Sequence, residues 1–190
     1  EAGGRARPAP GLVLAAAALV LVLAVLTAGR ITAPFGDSDE GINGSGWALS
    51  SRSVREVGPV ESALGGQRID GPRYASHPPG IVITATIAEL VGGERSAASR
   101  APAWLGTLVA LGLLVGLLRD LGLTTGRAVV AVAATALTPM VTTYGLMLDT
   151  PVTALPFGVG VLWLWWRAWD GPAPAAWTFA GAAARAAPCC

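Results

Sequence analysis

The 190-residue chain is 53% hydrophobic and 13% charged, with a mean hydropathy of +0.56, well to the apolar side of an ordinary soluble domain. Thirteen Arg, no Lys and twelve acidic residues leave a formal charge of +1, which gives no electrostatic footprint for nucleic acid and excludes a nucleic-acid binder. Cys189 and Cys190 are the last two residues, so neither a disulfide framework nor a cysteine metal site lies inside the chain. A start at Glu1 rather than Met, and an ending in mid-pattern, fit an N-terminal fragment of a longer protein.

Residues 1–10 are expected on the cytoplasmic side and 11–28 as the first membrane span. That run of 18 uncharged residues is about 27 Å long as a helix, close to a hydrocarbon core. A signal peptide is the alternative, since Arg5 and Arg7 precede the run, but its apolar region would be shorter, about 7–15 residues. Residues 29–100 form a long external loop. Within it, 80–91 is apolar for too short a stretch to span and predicts an interfacial helix, although Ile81, Ile83, Ala85 and Ile87 also alternate as a strand would. Spans two to four are expected at 101–118, 128–148 and 151–166, each free of charge, and 175–190 as the truncated start of a fifth. Arg5, Arg7, Arg119, Arg127 and Arg167 flank the spans on the side that should be cytoplasmic. Parity then puts the long loop and the short link at Asp149 on the external face.

Three stretches could carry chemistry. Asp37-Ser38-Asp39-Glu40-Gly41 crowds three carboxylates just beyond span one. Such a cluster can supply a general base, or it can cap a surface helix, Asp37 and Glu40 having capping-box spacing. Tyr74-Ala75-Ser76-His77-Pro78-Pro79 presents the only His at the membrane edge, either as a functional group or as a plain surface residue. Asp149-Thr150-Pro151 sits between spans three and four, where Asp149 could cap the next helix or join the acidic motif at one face.

In their order along the chain these features resemble the membrane-embedded GT-C glycosyltransferases of the family 39 type, which includes protein O-mannosyltransferases and aminoarabinose transferases. The resemblance rests on Asp39-Glu40 after span one, His77-Pro78-Pro79 before an apolar segment ending at Leu90-Val91-Gly92, Arg100 leading into span two, and Leu148-Asp149 after span three. It implies an all-α, polytopic transmembrane bundle with a long external first loop containing interfacial helices. It further implies transfer of a sugar from a polyprenyl-phosphate donor to a hydroxyl of protein, lipid or glycan at the external face of the cell membrane. Asp39 takes the position of the general base, with Glu40 and Asp149 beside it, and His77 and Tyr74 belong to the stretch lining the site. The leaving phosphate needs a cation, for which Arg30, Arg52, Arg55 and Arg73 are available. A divalent cation belongs to part of that group, and no metal ligand is assigned here. A transporter of lipid-linked glycans or a non-catalytic assembly subunit is the alternative; the absence of charge within the spans counts against the transporter. Four complete spans are too few for a whole carrier pocket, so the fragment alone is expected to be inactive.

Overall fold

The computed structural model describes residues 10–67, 69 and 79–170. Those residues are helical throughout their regular structure, with α1 Pro10–Thr32, α2 Asp39–Val57, α3 Gly80–Gly92, α4 Ser96–Asp120, α5 Thr125–Ala136, α6 Pro139–Tyr144 and α7 Thr150–Asp170. The segment at 80–91 is therefore a helix, and its period-two alternation is incidental.

Among the described residues α4 is long and apolar enough to cross a membrane by length and composition; α1 over Ala18–Thr32, α3 and α5 are shorter apolar helices. α4 begins at Ser96, five residues before the expected start of span two, and carries Pro102 inside it. The third apolar run is not one helix. α5 ends at Ala136, and Thr138 then caps α6, its hydroxyl accepting from Val141 N with Pro139 at the first helical position. Proline there lacks the N–H that a continuous helix would need. After α6 the chain runs irregularly through 145–149, burying Leu146, Met147 and Leu148. Hydropathy alone reads these residues as the end of a span because they are apolar, whereas their backbone is held by turns such as Met147 N to Tyr144 O.

α4 and α7 run parallel as the main pair. Gly106 of α4 lies against Val152 and Pro156 near the start of α7, and Trp163 is seated on Gly116 further along. Pro156 leaves the helix one hydrogen bond short, and the facing glycine lets the two backbones approach at that point. At the far end Asp120 accepts from the Trp163 indole at 2.7 Å and from Arg167 at 2.6 Å, clasping the two helices. α1 runs antiparallel to α4, because Ser96 at the start of α4 donates to the Thr32 carbonyl at the end of α1. Leu23, Leu111, Val132 and Ala136 form the apolar centre joining α1, α4 and α5.

α2 and α3 make a layer over the end of this bundle where α1 finishes and α4 and α7 begin. A second apolar centre, Trp47, Ile81, Val82, Ala85 and Leu148, fastens α2 and α3 to each other and to the irregular segment. Beside it lies a buried polar knot. Glu89, 4% exposed, accepts from Ser51, Ser99 and the Arg55 guanidinium. Each carboxylate oxygen has a donor, the condition under which a buried charge is tolerated. Replacing Glu89 by Ala strands two hydroxyls and half of an ion pair. We expect a loss of about 3 kcal/mol, the low end for a broken buried pair because Arg55 keeps Glu94, read as a lower thermal midpoint of the detergent-solubilised protein.

Candidate active site

Pro34 forbids α1 from continuing, since the residue before a proline is driven out of the helical region. The chain then folds back as 33–38 along the start of α2. Gly41 and Gly44 are required by this return: a Cβ at Gly41 would collide with the Gly36 backbone, and one at Gly44 with the Phe35 ring. Ser38, extended at φ −72 and ψ 162, is the N-cap, its hydroxyl accepting from Gly41 N at 3.3 Å. The N-cap is therefore Ser38 rather than Asp37, no capping box forms because the N3 residue is Gly41, and Glu40 is spent elsewhere.

Glu40 is paired with Arg100. The Arg100 Nε donates to Glu40 Oε1 at 2.7 Å and its Nη2 to Oε2 at 3.3 Å, a two-pronged contact. Nη1 donates to the carbonyls of Ile31 and Ala33, and the guanidinium carbon lies 4.3 Å from the centre of the Phe35 ring. At 2% exposure Arg100 is the largest fully buried side chain among the described residues. It joins the end of α1, the returning segment and the first turn of α2, the turn that Asp39 opens. The sequence flags Arg100 only as the residue leading into an apolar run; the signal that it is special is its position one turn inside α4, where a charge needs a partner.

Asp149 lies at the same end. Its Oδ1 accepts from Thr150 N at 2.7 Å and from the Trp47 indole at 3.3 Å, while its carbonyl accepts from Thr153 N. Asp149 thus stands at the start of α7, and a side chain of the acidic-motif helix reaches it. Trp47 and Glu40 are seven residues apart and share one face of α2. Ile42 and Leu49 of the same helix are exposed, while Trp47 is buried.

Arg55 lies away from this cluster. It donates to Glu89 at 3.1 Å and to Glu94 at 2.6 Å, bridging α2 to the α3–α4 link. The hydrogen bond and charge of Arg55 hold the exposed Glu94 carboxyl below its usual range. Whatever stability that contact adds is present above the unfolded carboxylate pKa and is lost as pH falls through the lowered one. Arg52 pairs with Glu56 on its own helix. Arg52, Arg55 and Arg95 line an open groove of about 290 Å³ together with Glu89 and Glu94, a surface of mixed charge. Arg30 donates to the Thr142 carbonyl and the Thr143 hydroxyl. His77, Tyr74 and Arg73 lie outside the described residues. Among the described residues no group of three His, Cys, Asp or Glu side chains could hold a metal ion.

Glu40 and Asp149 are thus brought to one end of the bundle by Arg100 and Trp47, and the residues that do this lie far apart in sequence. No curated protein and no solved structure matches the chain. A family model does, that of dolichyl-phosphate-mannose-protein mannosyltransferase, over residues 76–187, more than half of the sequence. The match takes in His77, Arg100 and Asp149 and begins after the acidic motif. The chain belongs to the dolichyl-phosphate-mannose-protein mannosyltransferase family and is a glycosyltransferase of the membrane.

Proposed function

We propose that the protein transfers a sugar from a polyprenyl-phosphate carrier to an acceptor hydroxyl, at the external face of the cell membrane, with Asp39 as general base. The observation that carries this reading is the meeting of the acidic-motif helix with Asp149 through Trp47 at the end of the bundle where Arg100 fixes Glu40. In the reaction Asp39 takes the proton of the acceptor hydroxyl, whose oxygen attacks the anomeric carbon. The bond from that carbon to the phosphate oxygen breaks, the electron pair leaves with the phosphate, and the anomeric configuration inverts. Glu40, paired with Arg100, would stand beside the base, and Asp149 would contribute to the acceptor or sugar hydroxyls the carboxylate oxygen that no described residue engages. His77 and Tyr74 are proposed to line the sugar. Arg55, committed to two carboxylates, is a poorer partner for the leaving phosphate than the sequence suggested.

A membrane site suits a lipid-linked donor, because the spans can bury its chain while the phosphate stays at the interface. The full-length protein in nanodiscs should transfer labelled mannose from polyprenyl-phosphate mannose to a hydroxyl-bearing acceptor and should not use a nucleotide sugar. Transfer from the nucleotide sugar alone would overturn the proposal.

A further inference from the structure

Asp149 closes the irregular stretch at 145–149, where turns rather than a helical ladder hold the backbone. A carboxylate on such a segment needs side-chain restraint before it can be aimed at a substrate. Two donors supply it, and both meet the same oxygen: Thr150 N at 2.7 Å and the Trp47 indole at 3.3 Å are bonded to Oδ1. The first is local and turns with the chain. The second comes from another helix, 102 residues earlier in sequence.

Trp47 is built to hold its donor still. It is 6% exposed and packs with Ile81, Val82, Ala85 and Leu148, so the indole cannot swing away, and its N–H can only donate. Leu148, fully buried in the same apolar centre, directly precedes Asp149 and brings the carboxylate to the indole edge. The helix that carries Trp47 is anchored in turn, because Glu40 on the same face is gripped by Arg100. Asp39 opens that helix. One rigid element therefore carries Asp39 through its backbone and restrains Asp149 through an indole, and Oδ2 of Asp149 is left as the oxygen that no described residue engages.

We infer that Trp47 is a positioning residue of the transfer reaction proposed above, on which this inference rests. Its indole N–H fixes the plane of the Asp149 carboxylate relative to the acidic-motif helix, so that Oδ2 is held ready for a substrate hydroxyl. Trp47 itself touches neither sugar nor acceptor.

The test uses the full-length protein in nanodiscs with polyprenyl-phosphate mannose as donor. Trp47→Phe keeps an aromatic ring in the apolar centre and removes the N–H; Trp47→benzothienylalanine does the same with the ring size preserved, sulfur standing where the N–H was. Both should lower kcat/KM about tenfold or more, the scale of a misplaced group, and the second should leave the thermal midpoint unchanged. In an Asp149→Ala background, Trp47→Phe should change the remaining rate by less than about twofold, because the indole then has no carboxylate to hold. The indole N–H resonance of Trp47, identified by its loss in Trp47→Phe, reads the contact without turnover and should move upfield in Asp149→Ala. Parental kcat/KM in the benzothienylalanine variant, an equal loss with and without the Asp149 carboxylate, or an unmoved resonance would overturn the positioning role while leaving the reaction standing. A parent that transfers no mannose from the lipid-linked donor would overturn the reaction itself.

Discussion

Asparagine in place of Asp39 in the full-length protein is expected to lower sugar transfer by about 10²–10⁴-fold, the range that a positioned general base contributes. The substitution keeps side-chain size and removes the ability to accept a proton. The loss should fall on kcat, with little change in KM for the lipid-linked donor, because the base acts on the acceptor hydroxyl as the bond forms. Initial rates at saturating donor, normalised to purified protein of unchanged thermal midpoint, check this. Activity within about threefold of the parent would remove Asp39 as the base, since that is far below what general-base catalysis contributes.

Arg100→Met should be the most destabilising single change in the described residues, by about 3–5 kcal/mol, the cost of removing one partner from a buried pair. Arg100 satisfies both oxygens of Glu40 and the carbonyls of Ile31 and Ala33, and all of these lose a donor together. Lys cannot reproduce the fork, so Arg100→Lys should recover only part of the loss. The double variant Arg100→Met with Glu40→Gln should be more stable than Arg100→Met, because no unpaired charge then remains. Thermal midpoints of the four proteins test this cycle, and additive effects of the two single changes would mean that the pair is not coupled.

The sequence made the broad arrangement legible and left its fastenings hidden. Apolar runs bounded by charge overlap α1, α4 and α7, and the length of 80–91 sets it apart from them. The run at 128–148 misled because hydropathy does not register backbone chemistry. Thr138-Pro139 is a helix start inside an apolar stretch, and the buried segment at 146–148 is as apolar as a span. Asp149 was readable as a cap from its place before Pro151, but nothing local announces that Trp47, 102 residues earlier, donates to it. Arg100 and Glu40 are 60 residues apart, and Arg55 finds Glu89 at a separation of 34. Periodicity reports which face of a helix is buried and says little about which distant charge it meets, so Arg55 looked as available for a phosphate as Arg30 does.

The proposed site requires that the acidic motif and Asp149 lie on the same, external, face of the membrane. Single cysteines at Ser38, Thr150 and Thr124, introduced into the full-length protein lacking its other accessible cysteines, report this in intact cells with a membrane-impermeant maleimide. Labelling at positions 38 and 150 with protection at 124 is the predicted result. Labelling at 38 with protection at 150 would set the acidic motif and Asp149 on opposite faces and contradict the shared site.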